Sequence, residues 1–222
     1  MSDLTIDQLV LDQAEYAVMR AAQRQRILPV RKLRHVQVGK ILSLDFENAD
    51  TLRYQVQQMV YAEGASTEAS AAEQLSTYSR LLPTDHSIAA TMFLALTDQA
   101  TVREDLAALT HIQESIALQL GESSIAAEDV PPPDEGETGR TFSVHFLRFY
   151  FDDAQRAALA NLTIPAVLRV DHPNYQGSTE LSAGLRGELI RDLSLAGMPS
   201  PAGKEAVFDP ELVQHLAHDL GE

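Results

Sequence analysis

Residues 88–97 constrain the fold of this chain more than any other stretch. Ile88 and Met92 share one side of an extended strand, and both are apolar. Ala89 and Phe93 share the opposite side and are also apolar. A strand that is apolar on both faces is typical of the centre of a sheet that is covered on both sides. The sequence therefore predicts a buried central strand with other elements layered over it.

The surrounding patterns predict which elements supply those layers. Residues 34–47 alternate between apolar and polar positions and predict a β-hairpin that turns at Gly39 and Lys40. Helical spacing predicts one helix that ends at Pro29 and another that is capped by Asn48 or Asp50. Further strands are predicted at residues 115–120, 141–151 and 166–171, and residues 124–127 are left open between strand and loop. Hairpins and short helices without regular strand–helix alternation favour an α+β fold, with a mainly antiparallel sheet and helices packed on it.

Composition excludes several classes of function. The chain has 222 residues and no cysteine, which rules out thiolate nucleophiles and cysteine-ligated metal or iron–sulfur sites. No glycine-rich nucleotide-binding motif, GxSxG or HExxH sequence is present. The net charge of −15 disfavours binding to nucleic acids and anionic membranes. Without a recognisable signal peptide or membrane span, we expect a cytoplasmic protein.

Basic residues are concentrated in one segment. Residues 20–40 hold seven of the 17 lysines and arginines, and no acid occurs from Tyr16 through Leu44. One interpretation is a solvated helix face that pairs with the acidic remainder of the chain. The other is a docking surface for an acidic protein partner, because complementary charge steers association. The candidate partner-binding residues are Arg20, Arg24, Arg26, Arg31, Lys32 and Arg34.

Two histidines lie on the apolar side of predicted strands. His145 shares its strand face with Leu147, and His172 shares its face with Val170. If the two strands are neighbours, the imidazoles meet in one buried polar cluster, for which the candidate partners are Asp171, Tyr175 and Glu47. Such a cluster could hold a divalent metal such as iron. The alternative is that each histidine donates to a backbone carbonyl and that residues 171–175 form a strand-ending turn.

Six short strings carry a resemblance to a known family. They are DFEN at 45–48, QVQQM at 55–59, YSRLLP at 78–83, ATMF at 90–93, SVHFLRF at 143–149 and DHPNY at 171–175. Together and in this order they resemble the successive signatures of the bacterial DUF3501 family, from about residue 16 to residue 193. The family has no assigned activity.

The resemblance implies a cellular context. Members tend to be encoded beside rubrerythrin-like proteins and cysteine-rich iron–sulfur oxidoreductases, which implies an accessory role in a redox or oxidative-stress module. The family commonly carries a glutamate where this chain has Gln58 and an acid near Ala95, so a carboxylate-rich metal site is less favoured here. The expected function is therefore an accessory, partner-binding protein; a metal-dependent enzyme that uses His145 and His172 is the alternative.

The same reasoning predicts how the chain is organised. A single domain is expected over residues 1–222, with the family-like core at 1–195. Residues 121–140 hold three consecutive prolines, three glycines and six acids, which predicts an acidic surface loop. Asp209 and Pro210 begin a last predicted helix, so residues 196–222 are expected to form a helical extension. The patterns leave the oligomeric state open.

Overall fold

The computed structural model describes residues 4–64, 67–96, 100–130 and 142–195. The chain divides into two compact units. The first, called the helical unit, comprises residues 1–32, 48–82 and 198–222. The second, called the sheet unit, comprises residues 33–47 and 83–197. Neither unit is continuous in sequence, and the single domain over residues 1–222 stays a prediction.

The helical unit contains three helices and a 3-10 turn among its described residues. Their bounds are Ile6–Gln8 for the turn, Gln13–Arg34 for α1, Ala49–Ala62 for α2 and Glu68–Ser79 for α3. The last two residues of α1 belong to the sheet unit. The Asn48 side chain accepts a hydrogen bond from the Thr51 amide at 2.9 Å and caps α2. Leu52, Val56 and Val60 are fully buried on α2, as its apolar stripe predicts.

The predicted end of the first helix is wrong, because α1 continues past Pro29 to Arg34. A proline inside a helix removes one backbone hydrogen bond and crowds the preceding turn, so the sequence favours a stop there. Arg34, the last residue of α1, is buried and forms ion pairs with Glu188 and Asp192. We attribute the continuation of the helix to this tertiary anchor, which local propensity does not report.

The sheet unit contains two antiparallel sheets. The first has the strand order β1-β2-β3-β7-β6. Its strands are His35–Val38 (β1), Leu42–Phe46 (β2), Ser87–Leu94 (β3), Glu128–Asp129 (β6) and Val144–Tyr150 (β7). The strand β3 lies at the centre, and seven of its eight residues are buried. The prediction of a central strand covered on both faces is confirmed.

The second sheet has the strand order β5-β4-β8-β9. Its strands are Ile116–Leu120 (β4), Ser123–Ala126 (β5), Ala166–His172 (β8) and Tyr175–Glu180 (β9). The remaining helices of the described sheet unit are Val102–Ala108 (α4), Asp153–Ala160 (α5) and Ala183–Leu195 (α6), with a 3-10 turn at Ile112–Ser115. The fold is therefore α+β, as the sequence predicts.

One hydrophobic core joins the two sheets. Met92 and Leu147 from the first sheet, Leu118 and Leu168 from the second, and Leu189 from α6 belong to the same buried cluster. Each is fully buried. Their burial supplies the hydrophobic free energy that fixes the positions of the strands.

The β1–β2 hairpin and β9 are also joined by polar contacts. The Tyr175 hydroxyl donates to the Val38 carbonyl at 2.6 Å, and the Thr179 hydroxyl donates to the Gln37 carbonyl at 2.6 Å. Gly39 turns the hairpin with a positive φ of 64°, and its missing Cβ leaves room for the Tyr175 hydroxyl. The predicted hairpin is confirmed, and hydrogen bonds from β9 hold the turn of the hairpin in place.

The prediction of an acidic loop over residues 121–140 is wrong for the part that forms strands. Residues 123–126 and 128–129 are strands β5 and β6, because Gly121 adopts a positive φ of 59° and turns the chain back along β4. Residues 131–140 and the predicted extension at 196–222 lie outside the described residues. Within the described part of the chain, no helix is both long and apolar enough to cross a membrane.

Candidate functional site

The two candidate histidines lie in different sheets. His145 is on β7, and its Nε2 lies 3.1 Å from the Phe142 carbonyl oxygen. His172 is on β8, and its Nε2 lies 3.1 Å from the Thr110 carbonyl oxygen. A carbonyl only accepts, so Nε2 of each ring must carry the proton and donate. The strands β7 and β8 are therefore not neighbours in one sheet, which was the condition on which the single cluster was predicted.

His172 uses both of its ring nitrogens within the fold. Its Nδ1 accepts a hydrogen bond from the Asn174 amide at 3.2 Å, while Nε2 donates to Thr110. The Asn174 side chain in turn donates to the Ala108 carbonyl at 2.7 Å. These bonds fix the turn between β8 and β9, which is the structural alternative that the sequence left open. A metal could bind this ring only by breaking one of its bonds.

Of the other three candidates, Tyr175 pairs with His172 across β8 and β9, Asp171 precedes His172 on β8, and Glu47 follows β2 in the first sheet. Asp171 accepts a hydrogen bond from the Gln176 side chain at 3.0 Å. Tyr175 holds the β1–β2 turn, and Glu47 accepts a hydrogen bond from the Thr91 hydroxyl. Among the residues that the structure describes, no group of three or more His, Asp or Glu side chains could hold a metal ion. Strand parity alone cannot show that β7 and β8 belong to different sheets.

The structure instead gathers polar residues on the outer face of the first sheet, opposite the hydrophobic core. Thr91 Oγ1 donates to Glu47 Oε1 at 2.5 Å, and Arg148 Nη1 donates to Ser87 Oγ at 2.6 Å. All four side chains are buried. Buried ionised groups are stable only when charge and hydrogen bonding compensate the loss of water. We call Glu47, Thr91, Ser87 and Arg148 the buried polar cluster.

The register explains how this cluster is positioned. The Glu47 amide donates to the Ala89 carbonyl at 2.9 Å, and Ala89 pairs with Arg148 across β3 and β7. Glu47 and Arg148 therefore lie in one row, two strands apart, which is about 10 Å between their Cα atoms. Glu128 on β6 pairs with Arg148 on its other side. The register therefore places Glu47 and Glu128 at the strand positions on either side of Arg148.

The sequence missed most of this cluster. Only Glu47 was a candidate, although Thr91 lies in the ATMF string and Arg148 in SVHFLRF. Strand parity could have indicated Arg148. It is a charged residue in a mostly apolar strand, and it lies on the opposite face from His145. Three of the family-like strings thus converge on one buried face of the sheet.

A second polar group lies between α1 and α2 in the helical unit. Tyr16 is fully buried, and its hydroxyl accepts a hydrogen bond from the Gln58 side chain. Arg20 Nε donates to Gln58 Oε1 at 3.0 Å, and its guanidinium lies 4.9 Å from the centre of the Tyr61 ring. Burial raises the pKa of Tyr16 to about 12, with Tyr54 adding to the rise. Tyr16 therefore stays protonated at neutral pH.

The six predicted partner-binding residues differ in their exposure and in the contacts that they make within the chain. Arg24 and Lys32 on α1 are exposed. Arg20 is exposed but engaged by Gln58 and Tyr61. Arg26 and Arg31 are partly buried and have interactions within the chain.

Arg34 does not belong to the docking surface that was predicted. Its side chain is buried, with two bonds to the Asp192 carboxylate at 2.7 and 3.1 Å and one to Glu188 at 3.2 Å. Burial raises the pKa of the Asp192 carboxyl, and the Arg34 guanidinium opposes that rise. Arg34 forms ion pairs within the sheet unit, with two acids of α6 that lie far away in the sequence, so the charge pattern alone cannot reveal them.

Large apolar side chains accompany the exposed bases on α1. Val18 is 62% exposed and Leu28 is 50% exposed. Ala21, Arg24 and Lys32 are exposed on the same helix. We call these five residues the α1 surface. It combines exposed apolar side chains with positive charge.

Comparisons with known proteins place the chain in a family. A family model described as "Protein of unknown function (DUF3501)" matches residues 3–193. A solved structure from Burkholderia pseudomallei K96243, titled as a novel protein of unknown function, is similar with a TM-score of 0.78 and 28% identity. The similarity covers 86% of this chain and 99% of that chain. A comparison with curated proteins gives no match. The family model spans both units, and this chain belongs to the DUF3501 family.

Proposed function

We propose that this protein is an accessory protein that binds an acidic protein partner through the α1 surface. The observation that carries the proposal is the exposure of Val18 and Leu28 beside Arg24 and Lys32 on a helix whose sequence contains no acid after Glu15. Apolar area provides affinity and the bases provide orientation and fast association. The family context supports a partner from a redox or oxidative-stress module.

The distribution of charge supports a protein rather than a nucleic acid as the partner. Outside residues 20–40, the chain carries all 32 acids and only ten of its 17 bases. A long polyanion would extend beyond the basic segment and meet the acidic remainder, which repels it. A compact acidic patch on a protein can contact α1 alone.

The alternative of a metal-dependent enzyme that uses His145 and His172 receives no support from the geometry. Each ring is bonded to a different carbonyl, and His172 has both nitrogens occupied. The described residues around them provide no group of three ligands. The buried polar cluster keeps its acid and base hydrogen-bonded to hydroxyls, which favours a role in packing.

The test uses a rubrerythrin-like protein and an iron–sulfur oxidoreductase from the same organism, each titrated with the full chain by calorimetry. We expect one of them to bind and the affinity to fall as the salt concentration rises from about 50 to about 300 mM. The variant Arg24→Gln/Lys32→Gln should weaken binding about 3- to 10-fold at low salt, since each exposed charge contributes up to about 1 kcal/mol. Arg26 and Arg31 are not used because both interact within the chain.

The matched control is Arg103→Gln/Arg169→Gln, which removes two exposed bases from other elements and changes the net charge equally. This control should leave the affinity close to that of the wild type. Equal losses in the two variants would show that only net charge matters and would overturn the α1 assignment. Binding whose affinity does not depend on the salt concentration would also overturn the α1 assignment.

A further inference from the structure

A groove lies between α5 and α6 in the sheet unit, and we call it the α5–α6 groove. Its volume is about 310 Å³, at the small end of the range of about 300–1,000 Å³ that is typical of ligand pockets. It opens to solvent, since Asp153 on one wall and Ser194 on the other are exposed. The described side chains that line it are those of Asp153, Arg156, Ala157 and Ala160 from α5 and Ile190, Leu193 and Ser194 from α6.

Arg186 on α6 fixes the two walls of the groove relative to each other. Its side chain is buried, and its guanidinium donates to the carbonyl oxygens of Leu159 at 2.7 Å and Ile164 at 2.8 Å. It also donates to the carbonyl oxygens of Ala158 at 3.1 Å and Asn161 at 2.9 Å. The carbonyls of the last turn of α5 have no partner within the helix, and Arg186 supplies one. The groove is therefore held open between two helices that are tied together.

The floor of the groove is apolar. Ala157 and Ala160 on α5 are small, and the space in front of them faces Ile190 and Leu193 on α6. Packed helices ordinarily leave few voids larger than a water molecule, so this space is an exception to close packing. A ligand that places an apolar group there removes its own apolar surface and that of the four side chains from water. The floor therefore favours a ligand with an apolar part.

The polar lining combines a carboxylate with a guanidinium. Asp153 Oδ1 lies 3.3 Å from Arg156 Nη1. The Asp153 side chain is 90% exposed and that of Arg156 is 31% exposed, so water screens this pair and it stabilises the fold little. Both groups can therefore turn towards a ligand at small cost. A guanidinium binds a carboxylate through two parallel hydrogen bonds, and a carboxylate accepts hydrogen bonds from an ammonium.

We propose that the α5–α6 groove binds a free α-amino acid that has an apolar side chain. An α-amino acid carries its carboxylate and its ammonium on one carbon atom, so its two charges lie side by side, as those of Arg156 and Asp153 do. The carboxylate pairs with Arg156, the ammonium pairs with Asp153, and the apolar side chain covers the floor. A purely anionic ligand would leave Asp153 facing a like charge, and a purely cationic ligand would do so for Arg156. The groove shares no residue with the α1 surface, and the inference is independent of the proposed function.

The test uses ligands from which one charge at a time is removed. L-phenylalanine and L-leucine are the complete probes. N-acetyl-L-phenylalanine lacks the ammonium, and L-phenylalanine amide lacks the carboxylate. Each is titrated into the full chain, and binding is followed by the chemical shifts of the backbone amides in NMR spectra. We expect L-phenylalanine to saturate with a dissociation constant on the order of 1 mM, because a small ligand has few atoms to bury. Each blocked compound should bind at least about threefold more weakly.

Two variants assign the charges of the ligand to residues. Arg156→Gln should weaken the binding of L-phenylalanine at least about threefold and leave that of the amide, which has no carboxylate, unchanged. Asp153→Asn should weaken the binding of L-phenylalanine by a similar factor and should not weaken that of the N-acetyl compound. The matched controls are Arg103→Gln and Asp85→Asn, at exposed positions outside the groove, and both should bind L-phenylalanine normally.

A third variant fills the groove. Ala160→Trp places a large side chain in the groove from an exposed position, so the core is not disturbed. It should weaken the binding of both amino acids at least about tenfold. Ala107→Trp, at an exposed position of α4, is the control and should bind both normally. Circular dichroism checks that both variants keep the helix content of the wild type.

Three outcomes would overturn the inference. The first is the absence of saturable shifts with both L-phenylalanine and L-leucine. The second is an N-acetyl compound that binds as tightly as L-phenylalanine while Asp153→Asn has no effect, which would indicate a site for anions alone. The third is a wild-type dimer that Ala160→Trp dissociates in sedimentation, which would assign the groove to a second copy of the chain.

Discussion

Tyr16 shows how the fold changes the chemistry of a single residue. It is fully buried between α1 and α2, and burial raises its pKa to about 12. Tyr54 contributes to the rise, while Arg20 and the hydrogen bond from Gln58 act against it. Removing water from a hydroxyl disfavours its charged form, so the neutral phenol is the form that the fold retains.

This pKa predicts how stability depends on alkaline pH. The folded pKa of about 12 exceeds the unfolded value of about 10, so the stabilising contribution is complete below pH 10 and is lost as the pH rises through 12. An absorbance titration of the six tyrosines should contain one component near pH 12 that Tyr16→Phe removes. Tyr150→Phe, at an exposed position, should leave this component unchanged. A late component that survives in Tyr16→Phe would contradict the assignment.

At the scale of single elements, the sequence predicted those whose signals are local. The alternation at 34–47 gave the β1–β2 hairpin, and the Asn48 cap with its apolar stripe gave α2. The extension of α1 beyond Pro29 was missed because its cause, the ion pairs of Arg34 with α6, lies about 150 residues away in sequence. The pattern of neighbouring residues in the sequence cannot indicate a contact between residues that are so far apart.

The strands that carry His145 and His172 give a prediction that reverses the one from sequence. The sequence predicted a shared cluster, in which the effects of removing the two histidines would not add. The structure places them in different sheets with separate carbonyl partners. We expect His145→Ala and His172→Ala each to lower the free energy of unfolding by about 1–3 kcal/mol.

The double mutant decides between the two accounts. Its loss of stability, measured by chemical denaturation, should equal the sum of the single losses to within about 0.5 kcal/mol. A double mutant that loses clearly less than the sum would restore the shared cluster. Asp85→Ala, at an exposed position, serves as a control whose effect should be small.

At the scale of the whole molecule, the sequence located the basic segment but could not show which of its residues are exposed. The concentration of bases at residues 20–40 was evident, but it could not distinguish Arg34, which is buried and ion-paired, from Arg24 and Lys32, which are exposed. Nor could it reveal the buried polar cluster, because Ser87, Thr91 and Arg148 meet only through the strand order β2-β3-β7. The composition indicates that the chain has a basic surface, and the fold determines which basic residues are exposed on it.

The central claim is that a protein partner covers the α1 surface, and competitive lysine acetylation tests it most directly. The chain has only three lysines, Lys32, Lys40 and Lys204. Lys32 lies on the α1 surface, while Lys40 is exposed at the β1–β2 turn, and Lys204 is outside the described residues. With a saturating amount of whichever of the two proteins binds, mass spectrometry should show acetylation of Lys32 slowed at least about fivefold and that of Lys40 unchanged. Acetylation of Lys32 at its free rate in a complex that has formed would contradict the claim.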